Sequence, residues 1–192
     1  KFIYESDSTY AEVTKDIQIQ RLKLEVSVAD SEQFYGENEP SWIATTEPAT
    51  LPFDDSCYLA TTVLVETTSP VGTYPIHLDI ENSGVLCAGV DKTANYEFVE
   101  KRSGTLTIKP AVLSIESAVA ENKNFDNTNS ATVTNVNFSG LKNGQTLEYG
   151  TDYTATGVFA QSDAGEDISV TVTVKLLEND KPKNYVVSPV TK

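Results

Sequence analysis

The chain has 192 residues, enough for one large domain or two small ones, and 39% of them are apolar, which excludes a disordered polymer. Its formal charge of −14, from 28 acidic and 14 basic residues, repels phosphate backbones and anionic headgroups, so nucleic acid is not an expected partner. No apolar run approaches the roughly 18 residues of a membrane-spanning helix, so this segment is not expected to insert into a membrane.

Taken in chain order, the first 21 residues are expected to be the end of an upstream repeat or an N-terminal strand, within a fragment cut from a longer chain. Thr9-Tyr10 precedes Ile17-Gln18-Ile19-Gln20 much as Asn95-Tyr96 precedes Thr105-Leu106-Thr107-Ile108. The next run has a period of two. Leu22, Leu24, Val26 and Val28 alternate with polar residues, as in a strand with one face on a core and one in water. Tyr74, Ile76, Leu78 and Ile80 repeat that pattern, and so do Ile168, Val170, Val172, Val174 and Leu176. Gly104–Ile108 and Val112–Ile115 read as strands on either side of the Lys109-Pro110-Ala111 junction, because Pro110 cannot donate to a ladder.

Turns are expected at Tyr35–Pro40, Asn82-Ser83-Gly84, Lys142-Asn143-Gly144 and Asp163-Ala164-Gly165, where glycine and asparagine accept positive φ. No long amphipathic helix is visible. Short helical turns are expected near Leu51–Ser56 or Asn127–Ser130. The sum predicts an all-β chain of two tandem small β-sandwich modules of immunoglobulin-like type, residues 22–110 and 111–192. A β-grasp-like arrangement, using one of the helical turns, is the alternative.

A phrase recurs at a fixed interval. Asn95-Tyr96 returns as Asn184-Tyr185 after 89 residues, and Lys23–Val26 stands 89 residues before Val112–Ile115. A fixed period of this length marks one folded unit per copy.

Five motifs in order carry a resemblance. Val26–Pro40 (VSVADSEQFYGENEP), Thr67–Ile80 (TTSPVGTYPIHLDI), Ala94–Phe98 (ANYEF) and Ser103–Ala111 (SGTLTIKPA) resemble the MBG domain of YGX type, a tandem module of bacterial surface adhesins. Their pieces are an apolar strand, Tyr35-Gly36 with Pro40, a Ser-Pro-x-Gly-x-Tyr strand, an Asn-Tyr pair and a Gly-Thr-Leu-Thr-Ile close. The second half is similar to the YDG domain. Lys123–Thr128 stands where that family has Lys-x-Tyr-Asp-Gly-Thr, with Phe125 replacing the tyrosine and Asn127 the glycine. Asparagine tolerates the left-handed conformation, so the turn is expected to survive.

The resemblance implies a stalk or spacer of a larger adhesin. It would be extracellular, on a bacterial cell surface, and monomeric. Its partners would be neighbouring repeats and a host glycan or protein. It also implies structural roles. Gly72 would allow a tight approach into a strand. Tyr74 and Tyr96 would be buried rings with bonded hydroxyls, and Asn95 and Asn184 would hold a nearby turn.

No catalytic or cofactor signature stands out. His77, the one histidine, falls on the polar face of a strand, where it reads as solvated. One His with Cys57 and Cys87 falls short of a zinc set, and no metal site or enzyme activity is expected. Asp54-Asp55 and Glu166-Asp167 are adjacent carboxylates in turns, not a pair across a cleft. Cys57 and Cys87 read equally as a disulfide or as two buried free thiols. Trp42, Tyr35, Tyr149 and Tyr153 are candidate aromatics for a carbohydrate- or protein-binding surface, with Trp42 alternatively plugging one end of a sandwich.

Overall fold

A computed structural model of the chain describes residues 2–3 and 14–188. Strands hold 52% of the residues and there is no α-helix among those described, so the fold is all-β, built of several sheets. In chain order the strands are β1 (Phe2–Ile3), β2 (Thr14–Lys15), β3 (Leu22–Val28), β4 (Ser31–Phe34), β5 (Ala44–Glu47), β6 (Ser56–Thr62), β7 (Gly72–Cys87) and β8 (Val90–Asp91). They continue as β9 (Tyr96–Arg102), β10 (Gly104–Lys109), β11 (Ala111–Ala120), β12 (Ser130–Ala131), β13 (Val133–Ser139), β14 (Tyr153–Phe159), β15 (Val170–Leu176) and β16 (Tyr185–Val187).

The chain divides into two compact units, and neither is contiguous. The first takes the described residues up to Ala29, then Trp42–Thr62 and Ile76–Gly104. The second takes Asp30–Ser41, Val63–Pro75 and the chain from Thr105 onward.

In the first unit β3 is the middle strand of a sheet ordered β5-β3-β9. It runs antiparallel to β5 and parallel to β9, with Leu22 opposite Tyr96. The predicted alternation holds at Leu24, Val26 and Val28, which are fully buried. Leu22 at the start of β3 and Ile80 in β7, expected on the same apolar faces, are exposed. Leu24, Val85 and Tyr96 form a core against which Leu51, Cys57 and Phe98 pack. β6 pairs with β7, Cys57 opposite Val85.

Asn82-Ser83-Gly84, expected as a turn, lies inside β7. The ladder slips between Tyr58 and Ala60, a bulge rather than a corner. The reason is local. The Ser83 hydroxyl accepts from Ala60 N–H (2.9 Å) and donates to the Asp79 carbonyl (2.6 Å), replacing the ladder bonds the bulge forfeits. Gly84 leaves room for the Tyr58 hydroxyl, which an added Cβ would strike.

In the second unit β11 is the middle strand of a sheet ordered β13-β11-β16. It runs antiparallel to β13 and parallel to β16, with Ala111 opposite Tyr185. This is the plan of the first unit's sheet, and both members of the Leu22–Tyr96 pair recur 89 residues on. A 3₁₀ turn precedes each closing strand, Thr93–Asn95 before β9 and Pro182–Asn184 before β16. The recurring Asn-Tyr pair is therefore the last residue of a turn and the first of a final strand. A second sheet, β12-β14-β15, covers a core of Val133, Val136, Tyr153 and Ala155. β4 pairs in parallel with β10.

Several expectations are corrected. Residues 16–21 form no strand, and Ile19 is almost fully exposed, because no neighbouring strand takes up its backbone bonds. Thr9 and Tyr10 lie outside the described residues. Leu51–Ser56 holds only a 3₁₀ turn, Pro52–Asp54, broken by Phe53 at φ 61°, and Asn127–Ser130 holds no helical turn. The helix a β-grasp arrangement would need is in neither place.

Candidate functional site

Two places in the second unit gather the residues the sequence singled out. The first is a knot around Tyr35 and Tyr185. Tyr35 is 1% exposed and Tyr185 5%, so Tyr35 is not a binding-surface aromatic as expected. Tyr35 follows β4, and its N–H donates to the Lys109 carbonyl at the end of β10 (2.8 Å), which turns its ring inward. Gln145 joins the two hydroxyls. Its Nε2 donates to Tyr35 Oη (3.0 Å), and Tyr185 Oη donates to its Oε1 (2.6 Å). The Lys142 N–H donates to Tyr185 Oη as well (3.1 Å). Burial pushes the Tyr185 hydroxyl above its ordinary pKa, against the lowering pull of the Lys142 N–H.

Asn184, also buried, accepts from Val71 N–H through Oδ1 (2.9 Å) and donates to the Asp180 carbonyl through Nδ2 (3.1 Å). Asn143 Nδ2 reaches the Thr67 carbonyl (2.9 Å). The bonds to Val71 and Thr67 fasten a distant segment onto the body of the unit, and the bond to Asp180 closes the turn before β16. Gly36 sits at φ +76°, where an added Cβ would run into the Lys142 side chain. Nearby, Asp152 is buried and accepts from Lys181 Nζ (2.7 Å) and Glu148 N–H (2.9 Å). Burial raises the Asp152 carboxyl, but those bonds more than reverse it and hold it below the usual carboxylate range.

The second place is the segment between β11 and β12. Lys123 Nζ donates to Asp126 Oδ1 (2.8 Å), to the Thr128 carbonyl (2.7 Å) and to Thr128 Oγ1 (2.8 Å). Asp126 Oδ1 also accepts from Thr128 N–H (2.9 Å) and Oγ1 (2.8 Å). The Lys123 ammonium, the Thr128 N–H and the Thr128 hydroxyl together bring the Asp126 carboxyl down to about 2. Asn127 takes φ 59°, the left-handed conformation expected of it. The loop closes on itself, and Phe125 stands outside it, 63% exposed.

Residues 109–192 match the family model of the YDG domain. In this chain the YDG-like signature, Lys123–Thr128, is the clamped loop, with Phe125 in the tyrosine's place. No curated protein and no solved structure matches the chain. Within the YDG match, a cleft of about 530 Å³ opens between the clamped loop and the β14–β15 hairpin loop. Phe125, Phe159, Asp163, Glu166, Asp167 and Ile168 line it.

The other predicted residues are dispersed. Tyr153 is buried, edge to face with Phe138 at 5.0 Å, because it is the first residue of β14 and faces the core with Val133, Val136 and Ala155. Tyr149 is 52% exposed and Trp42 half-buried. Gly72 opens β7 and Pro40 is half-buried. Tyr74 is half-buried rather than buried, and its hydroxyl donates to the Pro70 carbonyl (2.8 Å). Asn95 is exposed. His77 faces Glu100 at 3.3 Å on the surface of the first unit.

Cys57 and Cys87 are free thiols, not a disulfide, because the β6–β7 register sets Cys57 opposite Val85 and only diagonal to Cys87. Tyr96, buried as expected, donates its hydroxyl to Asp55 Oδ2 (2.5 Å). That bond, with burial behind it, pushes the Tyr96 hydroxyl to about 12. The hydrogen bond from Tyr96, then one from Cys87, hold Asp55 low, and Asp55 in turn raises the Cys87 thiol. Burial raises Cys57. Thiols pushed up are poor nucleophiles. No described cluster of three or more His, Cys, Asp and Glu has the geometry to hold a metal ion. The Gln145 link was not legible beforehand, since a lone Gln in a turn carries no sequence signal.

Proposed function

We propose that the chain is a non-catalytic module pair from a bacterial cell-surface protein, a stalk or spacer of a larger adhesin. In this reading residues 22–110 are an MBG-like repeat, on their five motifs, followed by the YDG-like repeat, although residues 30–41, 63–75 and 105–110 of the first repeat fold within the second unit. Each is a small β-sandwich of immunoglobulin-like type, extracellular and monomeric, with neighbouring repeats as its partners. The observation that carries the reading is the parallel pairing of opening and closing strands, β3 with β9 and β11 with β16. In such a pair, tension applied to the two ends of the strand-to-strand segment acts along the strands. Every bridging hydrogen bond then shears together, whereas a hairpin pulled at its open end unzips one bond at a time.

Single-molecule extension tests it. Pulled from handles at residues 110 and 188, the segment should resist until one abrupt event releases roughly 25 nm of chain, at about 3.4 Å per residue. Pulled from handles at Ala111 and Ser139, which peel β11 from β13, it should yield at lower force. Equal force in both geometries would remove the load-bearing reading.

A further inference from the structure

The cleft beside the clamped loop is lined by two aromatic rings and by the carboxylates of the β14–β15 loop. Phe125, exposed, lines it together with Phe159 and Ile168. Lys123 also lines the cleft, 5.7 Å from the Phe159 ring centroid, but its three donors are consumed by Asp126 and Thr128. Its charge is thereby matched within the loop. Asp163, Glu166 and Asp167 have no cationic partner among the described ion pairs. The cleft therefore presents net negative charge next to an exposed aromatic ring.

We propose that this cleft binds a basic segment of a partner polypeptide, seating an arginine or lysine side chain against Phe125 and between the carboxylates of the β14–β15 loop. A cation over a phenyl face is attracted by the ring quadrupole, and the aliphatic stem of the same side chain covers apolar surface. An inorganic cation fits less well. A calcium ion needs six to eight converging oxygens, and no described acidic cluster is gathered tightly enough to hold a metal. A guanidinium or ammonium on a long stem bridges carboxylates that stand apart. Clefts lined by one sign of charge also raise the local concentration of an opposite partner. This goes beyond the spacer role and can fail without it.

The test is fluorescence anisotropy with a labelled peptide of alternating glycine and arginine, at physiological salt, on the whole chain. A glycine–glutamine peptide serves as control. Phe125→Ala leaves the net charge untouched and should weaken binding about tenfold, while Phe125→Leu, which keeps bulk without a ring face, should weaken it nearly as much. The triple variant Asp163→Asn, Glu166→Gln, Asp167→Asn should weaken it by more than about tenfold. Neutralising Glu81, Glu97 and Glu116 to glutamine removes the same charge elsewhere and should change affinity less than about twofold.

Backbone amide shifts on peptide addition should be confined to residues 122–125 and 159–168, which also reports whether each variant is folded. The proposal is overturned if no binding is seen, if the remote triple variant weakens binding as much as the cleft variant, or if Phe125→Ala binds like the parent. Displacement of the peptide by millimolar calcium, with shifts at the same loop, would assign the cleft to an inorganic ion and overturn it too.

Discussion

Tyr35 and Tyr185 meet edge to face, ring centroids 5.5 Å apart and planes at 83°. Between their hydroxyls Gln145 both donates and accepts, so three residues from distant segments share one hydrogen-bonded chain. An edge-to-face pair adds about 0.5–1.5 kcal/mol beyond its area, and a buried polar link adds specificity only when each member is satisfied.

Tyr185→Phe should therefore destabilise the protein by about 1–3 kcal/mol, because it leaves Gln145 Oε1 and the Lys142 N–H without their partner. Tyr35→Phe should cost less, since it removes only a hydroxyl that accepts one bond. The double variant should fall short of the sum. Urea midpoints of the four proteins in a double-mutant cycle check this.

Gly36→Ala should be as damaging as a core truncation, although it adds one methyl group. Its φ of +76° is unfavourable to any L side chain, by about 1–2 kcal/mol, and the new Cβ must displace Lys142. Since Lys142 N–H is one of the bonds to Tyr185, the loss should reach the knot, visible as a changed tyrosine near-ultraviolet circular dichroism signal.

Acid should release the clamped loop late. Asp126 has a folded pKa of about 2, below its ordinary value of 3.8, so its contribution is present above about pH 4 and lost as pH falls toward 2. The Thr128 amide, which donates to Asp126, should show a chemical-shift titration with a midpoint near 2. Asp126→Asn should abolish it, and a midpoint near 4 in the parent would contradict the clamp.

At the alkaline end the Tyr96 hydroxyl behaves in the opposite sense. Its folded value of about 12 exceeds the ordinary 10, so its contribution is intact below pH 10 and vanishes as pH rises through about 12. Difference absorbance of tyrosinate should show a late phase that includes Tyr96. Asp55→Asn should bring that phase back toward 10 and, by lifting the carboxylate's hold on Cys87, speed alkylation of that thiol by iodoacetamide at neutral pH.

Mutating Asp152 tests the buried ion pair. Asp152→Ala removes the acceptor for Lys181 and for the Glu148 N–H, and should cost about 1–3 kcal/mol. The half-exposed Lys181 can turn to water, which keeps the loss below that of a fully buried pair. Thermal unfolding of the variant and of Lys181→Met would compare the two partners.

The sequence by itself determined the class of structure and its rhythm. Alternation at Leu24, Val26 and Val28 dictates a one-sided strand, and the 89-residue step from Asn95-Tyr96 to Asn184-Tyr185 dictates two closings of the same kind, because such patterns are local and survive without knowledge of neighbours. Asn127 was legible for the same reason: its φ is a property of one residue. Burial was less legible, since an aromatic flanking a turn reads alike whether it faces water, as Tyr149 does, or a core, as Tyr35 and Tyr153 do. Only the tertiary structure decided that Asn82-Ser83-Gly84 is a bulge, that Cys57 faces Val85, and that Tyr35, Gln145 and Tyr185 are one network. Each of those depends on strand register and on contacts between residues far apart in the chain, and a period of two fixes the face of a strand but not its partner.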